Sequence, residues 1–598
     1  MKNKKLLYLF VSVTPLIIFP PIFNAFDLPK FIWIFFTTSI FILYFLISKK
    51  QYQIKRKHFF GPLVIFLIWG LFTGIKALNI FETLKTILVL FLFLNFYFFS
   101  SEIFEKEDIK NLLQFLIFTT IFVSIYGVLQ VSGIDFINWE IKRSPLSTLG
   151  RRNFAGEYLV MIIPYVYFFI ANSKNIREKI FYLFLFILFL LHLILTFTRA
   201  SYLGFFVSTI LFFYPVKFKF SLKKIIPLFV FFILIPNLFS YNISGFEKGT
   251  IKSRIFIWKN TLRIIKKNPI IGVGLGNFKT NFLFYAEDRP KQIALIKEVL
   301  EDVHNDFLEI LVETGFIGFF IFLFLLFQIF KITFLLIKNS KEKTLIYGIL
   351  CSTVAFLTNS LASFPFKKPS TLLLFYLNLS FLNIISKKEY YKLKISRTSI
   401  LLYFLLFLIS GTIISFRGFL GNYYYTKSKN AEKINPTYST KMALISIKYN
   451  PFNYKTYFMV GNFYLKIEKL NDALFYFKKA EKLFPYIDSL QNNIGITYFK
   501  IGDFKEAEKH FLLSLKLNKY RSETYNNIGS LYIEMGKLNE AIYYLKKCIE
   551  IDPEFYLSYF NLGIAYLEKG EKLKAKEYFK KVIELKSDFQ PAKEYIIK

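Results

Sequence analysis

Long apolar runs separated by short basic interruptions fill the first two thirds of the chain, which then changes to a regular amphipathic repeat. Runs long enough to cross about 30 Å of hydrocarbon number roughly thirteen. They lie near 6–24, 31–48, 59–78, 84–100, 111–131, 156–171, 179–198, 200–216, 224–240, 308–337, 344–363, 371–386 and 399–416, and a membrane helix is predicted over each. Only Arg199 divides the seventh run from the eighth. The longest polar interruption, 241–307, ends at Val303-His304-Asn305-Asp306 and leads directly into the tenth run, which predicts a histidine at a water–lipid boundary.

Lysine and arginine set the expected orientation. With thirteen spans, the basic loops 49–57, 174–179, 217–224, 338–343 and 387–397 all fall on one side, read as the cytoplasm, whereas the loop 101–110 is acidic. The N-terminus then lies inside, and Arg151, Arg152, Arg199, the 241–307 loop and everything after 417 lie outside. The first run follows Lys2, Lys4 and Lys5 without a small-residue cleavage site, so it is expected to be a retained span. The expected division is a polytopic membrane domain over 1–416, a linker with a degenerate capping helix over 417–450, and a repeat domain over 451–598.

From 451 one residue pattern recurs in register: Gly461, Gly495, Gly529 and Gly563; Tyr464, Tyr498, Tyr532 and Tyr566; Ala473, Ala507, Ala541 and Ala575. Units begin at 451, 485, 519 and 553, three of them with proline and the third with Lys519. This resembles the tetratricopeptide repeat, in which paired helices stack small residues against large ones to bury a continuous core. Asn493, Asn527 and Asn561 also repeat, and either line the concave face or bond within the fold.

Composition narrows the class. Of 598 residues, 54% are hydrophobic and 78 are Phe, more apolar surface than a soluble domain of this size can hide. The formal charge of +36 sits in short loops and along the repeats rather than in one patch, so nucleic acid is not the expected partner. Cys351 and Cys548 are isolated and form no framework. The fold class is therefore all-α: a polytopic helical membrane domain followed by an α-solenoid.

The candidate chemistry is concentrated in the outer loops. An imidazole with a reference pKa of about 6.5 exchanges protons near neutrality, so His304 is a candidate base, against the plainer reading of an interfacial residue at a helix start. Arginine is scarce beside lysine, and its planar fork suits phosphate. Arg143, Arg151, Arg152, Arg199, Arg254, Arg263 and Arg289 all fall outside the membrane. The plainer reading of Arg199 is snorkelling to the headgroups. His192 lies seven residues before it, two turns deeper on the same helix face, and bonding to a neighbouring helix would explain it equally well. Glu301, Asp302, His304 and Asp306 could hold a metal, but acidic residues at a helix start more often supply solvated charge. The run Gly272-Val273-Gly274-Leu275-Gly276 permits a tight turn and lacks the strand–turn–helix setting of a dinucleotide loop.

Trp258, the Gly-Val-Gly-Leu-Gly-Asn-Phe run and His304-Asn305 followed by Leu308, Glu313, Gly315 and Gly318 resemble the signature of the O-antigen ligase and polymerase superfamily. Gly150-Arg151-Arg152-Asn153-Phe154-Ala155-Gly156 and Phe364-Pro365-Phe366 with Pro369 extend the resemblance over roughly 110–370; Arg151-Arg152 ahead of Asn153 departs from the usual pattern. The resemblance implies a GT-C-like helical fold and transfer of a glycan from a polyprenyl (undecaprenyl) diphosphate carrier to a lipid or protein acceptor at the extracytoplasmic face of the bacterial inner membrane. It implies His304 as general base, Arg199, Arg254 and Arg152 on the diphosphate, and Asn305, Glu313, Asn153 and Trp258 as orienting groups, with no cofactor and no metal. The first outer loop has only Asp27, so it offers no paired carboxylates for a metal-dependent oligosaccharyltransferase.

Polymerisation of the donor is the alternative within this class, since it needs the same grip and the same base. Outside it stand a transporter, for which His192 is the one clear intramembrane candidate, and a membrane-anchored scaffold, which leaves the arginines and histidine unexplained. In each case the repeats are expected to bind a protein partner.

Overall fold

The computed structural model describes residues 4–22, 24–48, 53–55, 57–137, 147–213, 250–286, 302–386, 390–394 and 396–597. Two compact units emerge, one comprising residues 1–278 and 302–426, the other 279–301 and 427–598. The expected span at 224–240 and residues Arg143, Arg289 and Glu301 lie outside the described residues.

The first unit is a bundle of α1 Lys4–Ser12, α2 Asp27–Ser48, α3 Phe60–Thr73, α4 Ile80–Ile103, α5 Lys106–Val131, α6 Arg152–Asn172, α7 Ile176–Leu195, α8 Arg199–Phe213, α9 Thr250–Lys267, α10 Phe278–Tyr285, α11 Asp306–Asn339, α12 Lys343–Ser360, α13 Pro369–Ile385 and α14 Arg397–Ala431; α10 and α14 continue into the second unit. Seven of the described helices, α2, α4, α5, α6, α7, α11 and α14, are long and apolar enough to cross a membrane, and α3, α8 and α13 are shorter apolar helices. The apolar run at 6–24 is not one helix. Its prolines at 15, 20 and 21 leave a nine-residue helix, a 3-10 turn at Thr14–Leu16 and irregular chain, because proline lacks the amide a helix interior needs.

Asn79, Asn175 and Asn305 cap α4, α7 and α11 through side-chain oxygens, and Glu105 with Asp108 forms a capping box on α5. α13 is buried at every position, and α6 at nearly every one. A helix buried all round reads as continuously apolar and belongs at the centre of a bundle. α12 packs on both α6 and α8, α13 on α4, and α11 on α3.

Polar contacts sort the helix ends. Lys4 pairs with Asp108 at 2.6 Å, Lys57 with Glu102 at 2.6 Å and Lys110 with Glu342 at 3.7 Å. A short antiparallel ribbon, β1 Gln53–Lys55 with β2 Tyr390–Lys394, joins two basic loops at this same end, with Gln53 opposite Lys394 and Lys55 opposite Tyr390. The acidic 101–110 loop is thus the ion-pair partner of its basic neighbours. At the opposite end Lys368 pairs with Asp27 at 2.9 Å, Asn277 accepts from the Asn79 amide at 2.8 Å, and Lys30 donates to the Thr148 carbonyl at 2.8 Å.

The second unit stacks helix pairs after α15 Pro436–Tyr449: α16 Tyr454–Lys466 with α17 Leu470–Leu483, α18 Asp488–Ile501 with α19 Phe504–Leu517, α20 Ser522–Glu534 with α21 Leu538–Ile551, and α22 Tyr556–Glu568 with α23 Lys572–Leu585, closed by α24 Gln590–Ile597. The recurrent glycines let paired helices approach. A Cβ on Gly461, Gly495, Gly529 or Gly563 would stand 2.4–2.6 Å from Phe477, Phe511, Leu545 or Phe579, so each small residue receives one large side chain. The repeated asparagines bond between units: Asn493 to Asn462 at 2.8 Å, Asn527 to Asn492 at 2.9 Å and Asn561 to Asn526 at 2.9 Å.

Candidate functional site

His304 precedes the cap of α11 with φ at +58°, a left-handed conformation that costs an L-residue about 1–2 kcal/mol. Contacts on both sides impose it. The Trp258 indole N–H donates to the Val303 carbonyl at 3.0 Å. Asn305 accepts from the Leu308 amide at 3.0 Å through its side-chain oxygen, and its amide nitrogen donates to the Leu361 carbonyl at 2.9 Å. The imidazole lies against Phe364 with ring centroids 5.2 Å apart, and its Nδ1 is buried without a hydrogen-bond partner among the described residues. A buried polar atom left open is costly, so both strain and vacancy mark this ring as held for something else.

The charges around it reinforce that state. Burial, then the Arg254 guanidinium, drive the His304 pKa down to about 4 against the pull of Asp302, with Arg151 and Lys367 adding to the fall. The ring is therefore neutral at pH 7. Arg254, on α9, is itself held below its ordinary value by burial and then by Arg199. Two guanidiniums close enough to repel each other are a grip for a multiply charged anion.

Arg199 opens α8 just after a turn in which Phe197 has φ at +50°, so the seventh and eighth apolar runs are two helices. Arg151 lies with its guanidinium carbon 6.0 Å from the Phe154 ring centre, and Arg152 begins α6. Asn153 accepts from the Thr198 hydroxyl at 3.3 Å, tying the start of α6 to that turn. Arg263 bonds its own helix neighbour Asn260 at 2.9 Å. His192 sits on α7 against Gly127 of α5, where an added Cβ would come 2.2 Å from its Nε2.

Glu313 takes a different place from His304. Its carboxylate accepts from the amides of Gly276 at 2.8 Å and Phe278 at 3.1 Å, and its carbonyl from Gly274 at 3.0 Å. The glycine run is thereby laid along a break in α11, where Gly315 has φ +66° and ψ −175°. Val273 donates to the Val312 carbonyl at 3.0 Å and Phe316 to the Pro269 carbonyl at 2.8 Å. A Cβ on Gly315 would lie 2.1 Å from the Ile270 carbonyl oxygen, so only glycine fits. The run orders the loop that carries Arg254 and Trp258.

The 361–368 segment supplies groups that the sequence reading did not single out. Lys367 pairs with Asp302 at 2.8 Å and with Glu309, while the Phe366 amide donates to Asp306 at 3.3 Å. Lys368, paired with Asp27, also stands 4.0 Å over the Phe154 ring and 5.3 Å from the Phe364 ring centre. The Ser363 hydroxyl donates to Glu157, a buried carboxylate of α6. Two adjacent lysines in an expected outer loop, and one acidic residue within an otherwise uncharged stretch of span, were the available signals.

Residues 184–323 match the O-antigen ligase family, a segment that includes Arg199, Arg254, Trp258, His304, Asn305 and Glu313. Residues 454–486, 486–554 and 556–589 match tetratricopeptide-repeat families. The chain carries an O-antigen ligase domain followed by tetratricopeptide repeats. A Rickettsia conorii protein named "Putative polysaccharide ligase RC0486" is 27% identical over 290 residues, covering 45% of this chain and 67% of that protein. Among solved structures, that of MamA is 28% identical, covering 27% of this chain and 93% of its own, with a TM-score of 0.25. MamA from Desulfovibrio magneticus RS-1 is 20% identical, covering 28% and 97%, with a TM-score of 0.27. Residues 184–323 thus resemble a ligase-type domain, in a chain with seven described helices long and apolar enough to cross a membrane.

Proposed function

We propose that this O-antigen ligase domain transfers a glycan from a polyprenyl diphosphate carrier to an acceptor hydroxyl on lipid or protein. The observation that carries the reading is the convergence of Arg199, Arg254 and a neutral, strained His304 from three distant stretches of chain. The arginines hold the diphosphate, with Arg152 at the start of α6 as a further contact. His304 accepts the acceptor hydroxyl's proton as that oxygen bonds to the anomeric carbon. The bond from that carbon to the diphosphate oxygen breaks with its electron pair leaving on the carrier, and the displacement inverts the anomeric centre. A phosphate leaving group needs its growing charge balanced, and preorganised guanidiniums supply that without rearranging. The general base contributes on the order of 10²–10⁴-fold.

Trp258 and Asn305 keep the imidazole aimed, Asn153 ties α6 to the Arg199 turn, and Glu313 orders the loop behind Arg254. The arrangement supports an extracytoplasmic reaction at the inner membrane, because the basic loops gather at the opposite helix ends. It favours ligation and polymerisation equally in chemistry. Incubating the purified protein with a polyprenyl-diphosphate oligosaccharide, alone and with candidate acceptors, separates them by product size. Transfer only with a lipid or protein acceptor is the expected result; a ladder of longer lipid-linked glycans without acceptor identifies a polymerase. No donor consumption, with wild type and His304→Ala indistinguishable, overturns the proposal in favour of transport or scaffolding.

A further inference from the structure

Helix α10 reads Phe-Lys-Thr-Asn-Phe-Leu-Phe-Tyr, and its aromatic residues have different destinations. Phe278 and Phe282, one turn apart on one face, are fully buried. Phe284 points elsewhere: its ring stacks on Tyr486 with centroids 4.6 Å apart and planes 27° from parallel. Lys516 Nζ stands 4.6 Å from the centre of the same ring, and Lys279 Nζ 5.9 Å from that of Phe484. Phe484 and Tyr486 flank Pro485 where the first repeat meets the second, and Lys516 lies in the last turn of α19. The described residues 279–286 accordingly belong to the same compact unit as 427–597.

We infer that the tetratricopeptide domain takes a segment of this chain as its ligand, the 278–285 helix of the long loop, with Phe284 seated by Tyr486 and Lys516. An aromatic ring stacked on one phenol and faced by an ammonium gains offset-stacking and cation–π attraction together, the chemistry by which repeat surfaces hold an aromatic-bearing helix. Both seat residues belong to the second repeat, Tyr486 at its start and Lys516 in the last turn of α19, so the seat forms only when that repeat is folded. A protein partner presenting an aromatic residue to this seat must displace Phe284. The inference does not depend on the transfer reaction and stands or falls by itself.

Hydrogen–deuterium exchange on the full chain in detergent tests it without an activity readout. Phe284→Ala and Tyr486→Ala, made on opposite sides of the contact, are each expected to raise exchange at 278–286 by at least about tenfold, with α6 and α13 unchanged. Wild-type exchange at 278–286 in Tyr486→Ala would overturn the inference. If either variant also loosens α13, Lys516→Gln decides: faster exchange at 278–286 supports the seat, and unchanged exchange there overturns it.

Discussion

The membrane unit and the repeat unit each bury a histidine whose pKa falls to about 4, and they do so with opposite construction. In the repeats, His510 Nδ1 meets the Gln491 side-chain oxygen at 2.6 Å, Nε2 lies 3.2 Å from Lys478 Nζ, and the ring stacks on Tyr498. Burial, then Lys478, depress it, with Glu481 and Glu506 opposing. His304 reaches the same value on strained backbone, beside Arg254 and Arg151, with no partner for Nδ1 among the described residues. A shifted pKa is thus common to a packing residue and a candidate base. What separates them is whether the protein has already satisfied the ring.

That contrast breaks most sharply on substitution. His304→Ala should lower transfer on the order of 10²–10⁴-fold while leaving thermal stability unchanged or higher, since it removes a buried nitrogen with no hydrogen-bond partner among the described residues; rates and melting curves of the same preparations check both. Equal loss of activity and stability would make His304 another His510.

Gly315→Ala should cost at least about 3 kcal/mol and abolish transfer, because the new Cβ meets the Ile270 carbonyl in a backbone region reserved for glycine. A denaturant midpoint of the membrane unit reads it. Next in size, Arg254→Gln should weaken the donor roughly 10–100-fold, the worth of about 1.5–3 kcal/mol for a charged hydrogen bond, in a titration with the diphosphate carrier.

His510→Gln should leave transfer chemistry intact and remove a pH dependence of the repeats. The folded ring resists protonation while the unfolded ring takes up a proton below 6.5, so its contribution is complete above that value and is lost as pH falls towards 4. Melting of the repeat unit between pH 7 and 4 should therefore flatten in the variant. The smallest effect, about 1 kcal/mol, is expected for Gly502→Ala, where φ is +93° but no atom stands within 4 Å of the new Cβ.

The repeats were legible because their core is local: glycine against phenylalanine recurs within each helix pair, and the spacing alone displays it. Most membrane helices were legible as apolar runs, and the run at 6–24 misled because its hydropathy conceals three prolines. The candidate site was legible only in part. His304 and Arg199 stood out as rare residue types at boundaries. Lys367, Lys368, Asp27 and Glu157 did not, since their meaning lies in pairings such as Asp27 with Lys368, far apart in sequence and invisible to any local pattern. Glu313 is an expected orienting residue, and its carboxylate binds loop amides beside the break at Gly315, partners that no local sequence pattern displays.

The central claim is that His304 acts as a base kept neutral by burial and by Arg254. The pH dependence of kcat/KM at low donor, which reports the free enzyme, tests it most directly in wild type and Arg254→Gln. The account predicts a wild-type acid limb near 4 that moves upward, towards 6.5, when the Arg254 charge is removed. A wild-type limb already at 6.5, or limbs that coincide in the two proteins, would contradict it.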